Sequence, residues 1–147
     1  MKLLAASTLV ATSIFGVATA QQKPVIEVYE SPLCGCCSQW VTHLEKNGFT
    51  TRVIESDDLD ALKTKLGVPE RVRSCHTGVV DGYAIEGHVP ASDIEDLLNE
   101  KNDEVIGLAV PGMPLGAPGM EAEISEAYDV LAFNKKGETG VFAKYRP

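Results

Sequence analysis

The sequence predicts a mixed α/β fold in the order β-α-β-α-β-β-α, followed by a Pro/Gly-rich loop and a β-hairpin. Three observations carry that expectation. Short β-type runs alternate with segments whose apolar residues recur at the helical period. The first two such runs are separated by a helix-length segment, as a parallel strand pair requires. Asp81-Gly82 then stands between two short extended runs, a strong hairpin signal.

Val25-Ile-Glu-Val-Tyr29 is the first strand, ended by Ser31-Pro32. From Cys37 onward, Cys37, Trp40, Val41 and Leu44 recur at helical spacing, and Gly48 stops that helix. Thr51 to Glu55 reads as the second strand. Leu59, Leu62 and Leu66 form a second helical stripe, closed by Gly67 and Pro69. Thr77 to Asp81 and Tyr83 to Glu86 are the hairpin runs. Pro90 and Ser92 open the third helix, with Ser92 and Glu95 in capping-box register and Ile94, Leu97 and Leu98 facing inward. That order matches a thioredoxin-like layout. Val105 to Val110 is apolar and leads into the segment Pro111 to Met120, too dense in Pro and Gly for a helix or a central strand. Tyr128 to Phe133 and Gly140 to Tyr145 flank Lys135-Lys136-Gly137-Glu138 as a C-terminal hairpin.

A chain of 147 residues fits one domain. At that size a core can form without disulfide staples, so the four cysteines need another reason. Thirteen Lys and Arg against 21 Asp and Glu give a net charge of −8. This argues against a nucleic-acid binder, because phosphate neutralisation needs clustered cations. No phosphate loop and no nucleophile–base–orienter set is recognisable. Residues 1–20 read as a secretory signal peptide: Lys2 is basic, Leu3 to Thr19 is uncharged, and Ala18-Thr19-Ala20 is a small-residue ending with cleavage after Ala20. An N-terminal membrane anchor is the competing reading of that segment. No later stretch approaches the roughly 18–20 apolar residues of a transmembrane helix. The mature domain is then 21–147, exported to a periplasm.

Cys34-Gly-Cys36-Cys37 follows the first strand and opens the first helix, where partial positive charge and unpaired N–H groups stabilise thiolates. Cys34 and Cys37 have the Cys-x-x-Cys spacing of a redox pair. Cys36 changes that reading, because an adjacent Cys36–Cys37 bridge would be strained. Three soft donors converging on one point suit a soft ion such as Cu(I). Cys75, in Ser74-Cys75-His76-Thr77, precedes the third strand, and the fold analogy sets it opposite the other three. A disulfide from Cys75 to one of them, leaving the other two as a redox pair, is the alternative. Structural zinc is a poor match, since its sites usually pair two Cys-x-x-Cys arms.

His76, beside Cys75, is the foremost histidine candidate. His88 follows the hairpin and can reach the same face, although a lone loop histidine is as readily a surface residue. His43 falls on the flank of the first helix and reads as solvated. Met113 and Met120 each end a Pro-Gly-Met triplet. A thioether is a soft, uncharged ligand suited to copper; the competing reading makes both methionines apolar lids over the core.

Four segments together, Ser31-Pro-Leu-Cys-Gly-Cys-Cys37, Ser74-Cys-His-Thr77, Glu86-Gly-His-Val-Pro90 and Pro111-Gly-Met113 with Gly119-Met-Glu121, resemble the CopG-like family of bacterial periplasmic copper-resistance and metal-binding proteins. The resemblance spans Val25 to Tyr145. It implies a thioredoxin-like fold, a periplasmic location and copper bound through Cys34, Cys36, Cys37 and Cys75. His88, Met113 and Met120 follow as auxiliary or transfer ligands. The combined expectation is a copper-resistance protein that holds Cu(I), with surplus sulfurs pointing to a bridged multinuclear cluster. Thiol oxidation coupled to Cu(II) reduction would make it a copper oxidoreductase. Its expected partners are copper ions and periplasmic copper-efflux or copper-chaperone components, with no nucleic acid and no membrane span after cleavage. The alternative is a thiol–disulfide oxidoreductase using Cys34 and Cys37 without metal.

Overall fold

The computed structural model describes residues 23–147. The expected signal peptide and its cleavage site lie outside the described residues. The elements are β1 (Val25–Glu30), α1 (Gly35–Lys46), β2 (Thr50–Glu55), α2 (Leu59–Lys65), a 3₁₀ turn (Glu70–Val72), β3 (Thr77–Val80), β4 (Tyr83–Glu86), α3 (Ala91–Glu100), β5 (Val105–Ala109), β6 (Tyr128–Asn134) and β7 (Thr139–Tyr145). All the strands share one sheet, in the order β2-β1-β3-β4-β5-β6-β7.

The β1–β2 pair is parallel, with Ile26 opposite Thr51 and Tyr29 opposite Ile54, and α1 supplies the crossover such a pair needs. β3 runs antiparallel to both β1 and β4. Asp81 and Gly82 join β3 to β4 with φ of +47° and +84°, the left-handed pair that matches hairpin twist. The apolar run after α3 is a strand in its own right. As β5 it pairs parallel with β4 and antiparallel with β6, so the C-terminal hairpin prolongs the sheet.

Ile26 and Val28 of β1, Trp40 and Leu44 of α1, Ile85 of β4, Ile94 and Leu97 of α3 and Leu108 of β5 are fully buried together. The Trp40 indole donates its Nε1–H to the Val89 carbonyl at 2.8 Å, tying α1 to the link between β4 and α3. α1 starts at Gly35, earlier than the spacing indicated, with Cys34 as its extended N-cap. The capping box expected at Ser92 and Glu95 does not form. Pro90 takes the N-cap position, so Ser92 already lies inside the first turn of α3. The Ala91 N–H donates instead to His43 Nε2 at 3.1 Å. His43 is thus half-buried between two helices rather than solvated, and burial lowers its pKa. Among the described residues no helix is long and apolar enough to cross a membrane.

Candidate metal centre

The sulfur residues meet at the N-terminus of α1. Cys34 caps the helix, and Cys36 and Cys37 occupy its first turn. Cys37 is buried on the Trp40/Leu44 stripe, while Cys34, Cys36 and Cys75 are half-buried. Cys34 and Cys37 are joined by a disulfide, and Cys36 and Cys75 are free thiols. The Cys36 Sγ stands 3.5 Å from that of Cys34 and 3.8 Å from that of Cys75. All four sulfurs lie within 4.8 Å of one another.

Cys75 is held by its neighbours. The Glu86 carboxylate, on β4, accepts from the Ser74 N–H at 2.6 Å and from the Thr77 hydroxyl at 2.6 Å, one residue before Cys75 and two after it. Lys63 of α2 pairs with the same carboxylate and donates to the Ser74 carbonyl at 3.0 Å. Both charges are buried, with side chains 3% and 0% exposed. Burial raises the Glu86 pKa against the opposing pull of Lys63 and the hydrogen bonds. The Gly87 N–H donates to the His76 carbonyl at 3.0 Å. Gly87 has φ +71°, and a Cβ there would lie 2.7 Å from the Val110 carbonyl oxygen, so only glycine fits between Glu86 and His88.

Both candidate histidines are fully buried beside Cys75. His76 Nδ1 lies 3.2 Å, and His88 Nε2 3.6 Å, from the Cys75 sulfur. His88 Nδ1 is 2.8 Å from the Pro118 carbonyl. A carbonyl only accepts, so Nδ1 carries the proton and Nε2 presents a lone pair towards Cys75. His76 packs on Trp40 with ring centroids 4.5 Å apart, and its Nε2 is buried without a partner. Burial, then the neighbouring His88 and Lys63 charges, lower the His76 pKa to about 3, and burial also lowers that of His88. Both rings are therefore neutral near pH 7, the form that can ligate a metal. Burial, then Cys36, pushes the Cys75 thiol up to about 11.

The Pro/Gly loop lies over the same end of the sheet. The Ser74 hydroxyl donates to the Gly112 carbonyl at 2.6 Å, and Pro118 receives His88. Gly119, at φ +82°, sits so near α1 that a Cβ would lie 2.7 Å from the Trp40 nitrogen. Met113 follows the first contact and is 53% exposed, so it is no lid over the core. Met120 follows the last contact and is half-buried, and Ala117 is the loop residue that inserts fully.

Sequence reasoning missed Lys63, Glu86 and the Pro118 carbonyl. Lys63 did leave a signal: it lies four residues after Leu59 and three before Leu66, on the apolar stripe of α2. A carbonyl acceptor leaves none.

The fold and site define a mixed α/β protein that gathers thiol and imidazole donors at one end of its sheet. The family model described as "Protein of unknown function, DUF411" matches residues 72–120, which include Cys75, His88 and the Pro/Gly loop. No curated protein matches the chain significantly. The solved structure of "Copper resistance protein copG", Form 2, is 45% identical, covers 84% of this chain and 99% of its own, and superposes with a TM-score of 0.80. Form 1 is 44% identical, with 85% and 99% covered and a TM-score of 0.80. The chain belongs to the CopG family.

Proposed function

We propose that this protein handles copper as its cargo, holding Cu(I) through the reduced thiolates of Cys34, Cys36, Cys37 and Cys75. The carrying observation is the gathering of four sulfurs within 4.8 Å at a helix N-terminus. Thiolate sulfur selects Cu(I) by softness, and four sulfurs exceed what a single two- or three-coordinate ion uses, which supports a bridged, multinuclear cargo. Similarity to a copper resistance protein supports copper over other soft ions. The sheet order β2-β1-β3-β4 supports the thioredoxin-like reading of the core. The mature chain 21–147 acts in the periplasm, exchanging copper with efflux or chaperone components, and Met113 and Met120 serve as auxiliary ligands during transfer. The Cys34–Cys37 disulfide supplies a redox step. Two thiols release two electrons and two protons as the S–S bond forms, and two Cu(II) ions are reduced to Cu(I). The test is Cu(I) stoichiometry with free-thiol counting on the reduced protein. More than one Cu(I) per chain is expected, with all four thiols protected; binding no tighter than that of a Cys36→Ser variant defeats the reading.

The observed disulfide favours a second reading, a thiol–disulfide oxidoreductase working through Cys34 and Cys37. It requires metal-free disulfide turnover that disappears in Cys34→Ser and survives in Cys36→Ser.

A further inference from the structure

Of the three histidines, His43 alone lies outside the metal centre. The first N–H groups of a helix have no partner within it. Ala91 opens α3 and is 1% exposed, so solvent does not satisfy its N–H. Pro90, at the N-cap, has no side-chain oxygen to offer, and no side-chain cap bond forms. His43 of α1 takes that place, its Nε2 accepting from the Ala91 N–H at 3.1 Å. An N–H only donates, so Nε2 is bare and the neutral ring carries its proton on Nδ1. A proton added at Nε2 removes the acceptor and sets one N–H against another. The imidazolium then needs an acceptor of its own, and Glu121 is the carboxylate whose charge reaches it. We infer that His43 is an acid-operated latch: neutral, it caps α3 at Ala91; protonated, it releases Ala91 and pairs with Glu121, just past the Pro/Gly loop.

The groups around the ring fix the direction of the switch. On α1, Lys46 opposes the imidazolium, while Glu45 accepts from the Thr51 hydroxyl at 2.6 Å. α3 turns its positive N-terminal end to the ring, which opposes the imidazolium too. The acids of its first turns are engaged elsewhere: Asp93 accepts from the Tyr145 hydroxyl at 2.8 Å, and Glu95 pairs with Lys23. From the loop side, Glu121 favours the imidazolium. One oxygen of Glu121 accepts from the Gly119 N–H at 2.9 Å, leaving the other to the ring. That bond holds the Glu121 pKa down, so the carboxylate is still charged when His43 takes up its proton. Burial outweighs Glu121 and keeps the His43 pKa below the ordinary value of about 6.5. The cap therefore contributes its full stability above about pH 6.5 and loses it as pH falls through the folded pKa. α3 begins three residues after His88, so acid acts on the link between β4 and α3. The latch uses no donor of the metal centre and does not depend on the proposed cargo.

The test is an NMR titration of the full chain in its disulfide form, from about pH 8 downwards. At the alkaline end, proton–nitrogen spectra of the His43 ring should show the Nδ1–H tautomer. On acidification the His43 ring and the Ala91 amide should move together, with one midpoint below about 6.5. Protection of the Ala91 amide from hydrogen exchange should fall about tenfold through that midpoint, the equivalent of one hydrogen bond. His43→Gln, whose side-chain carbonyl accepts without titrating, should abolish the pH response of Ala91. Glu121→Gln should lower the His43 midpoint. An Nε2–H tautomer at neutral pH, a His43 midpoint at or above about 6.5, or separate midpoints for His43 and Ala91 would each overturn the latch. An Ala91 response that persists in His43→Gln overturns it as well, and an unmoved His43 midpoint in Glu121→Gln overturns the exchange of partners. Failure of the reduced protein to take Cu(I) sinks the proposed function and not this inference.

Discussion

Lys63→Met is the most informative single change, because it separates the clamp on Cys75 from the donors themselves. The variant keeps the stem volume of Lys63 and removes the ammonium that faces Glu86 and the Ser74 carbonyl. The Glu86 carboxylate, fully buried, keeps its hydrogen bonds from the Ser74 N–H and the Thr77 hydroxyl and loses its counter-charge. Breaking one side of a buried ion pair costs about 3–5 kcal/mol. Glu86 already has a raised pKa and can take up a proton, which points to the lower end. For a chain of this length about 3 kcal/mol lowers Tm by roughly 10 °C. Protonation also fixes the sign of the pH response. A carboxyl whose folded pKa is raised contributes stability that is complete below its unfolded pKa and is lost as pH rises. The variant should therefore approach the wild type in mild acid and fall away from it towards neutral pH. Denaturant unfolding followed by the single tryptophan, Trp40, reads both effects. The double variant Lys63→Met/Glu86→Gln should be more stable than the two single losses predict by at least about 1 kcal/mol. A single-variant cost under about 1 kcal/mol, or strict additivity in the double variant, would refute the clamp.

Three further outcomes are expected. Gly119→Ala needs positive φ and sets a Cβ 2.7 Å from the Trp40 nitrogen, so it should cost more than about 1 kcal/mol and shift the His88 ring signals through Pro118; Gly140→Ala, with open space around it, should do neither. Trp40→Phe strands the buried Val89 carbonyl and should cost about 1–3 kcal/mol for that bond alone, measured by circular dichroism on urea titration. Asp93 accepts from the Tyr145 hydroxyl at 2.8 Å, and burial nevertheless raises its pKa above 3.8. Wild-type stability relative to Asp93→Asn should therefore decline as pH rises through and above that value, and a flat difference would contradict the burial effect.

Much of the fold was legible because it rests on local patterning. The Cys37/Trp40/Leu44 stripe marked the buried face of α1, and Asp81-Gly82 marked a turn that needs two left-handed residues. The capping box failed because local register does not know where a helix is forced to begin. Trp40 anchors the Val89 carbonyl from α1, and α3 starts just after it, with Pro90 as its N-cap. The apolar run that became β5 was ambiguous for a similar reason, since its pairing partners β4 and β6 lie on either side of it in the chain.

The sequence by itself determined the candidate donors: three thiols packed at a helix start, a fourth before a strand, and histidines one and thirteen residues after it. Residue type and short-range spacing settle softness, charge and helix position, and these need no tertiary information. Only the tertiary structure decided how the donors come together. That Cys75 meets both Cys36 and two imidazoles depends on the approach of α1, β3, β4 and the Pro/Gly loop. The His88 tautomer depends on a carbonyl 30 residues away. Lys63 of α2 becomes a buried structural cation only because Glu86 of β4 meets it in the fold. Hydrogen bonds and ion pairs act over a few ångströms in space, and spacing along the chain does not fix those distances.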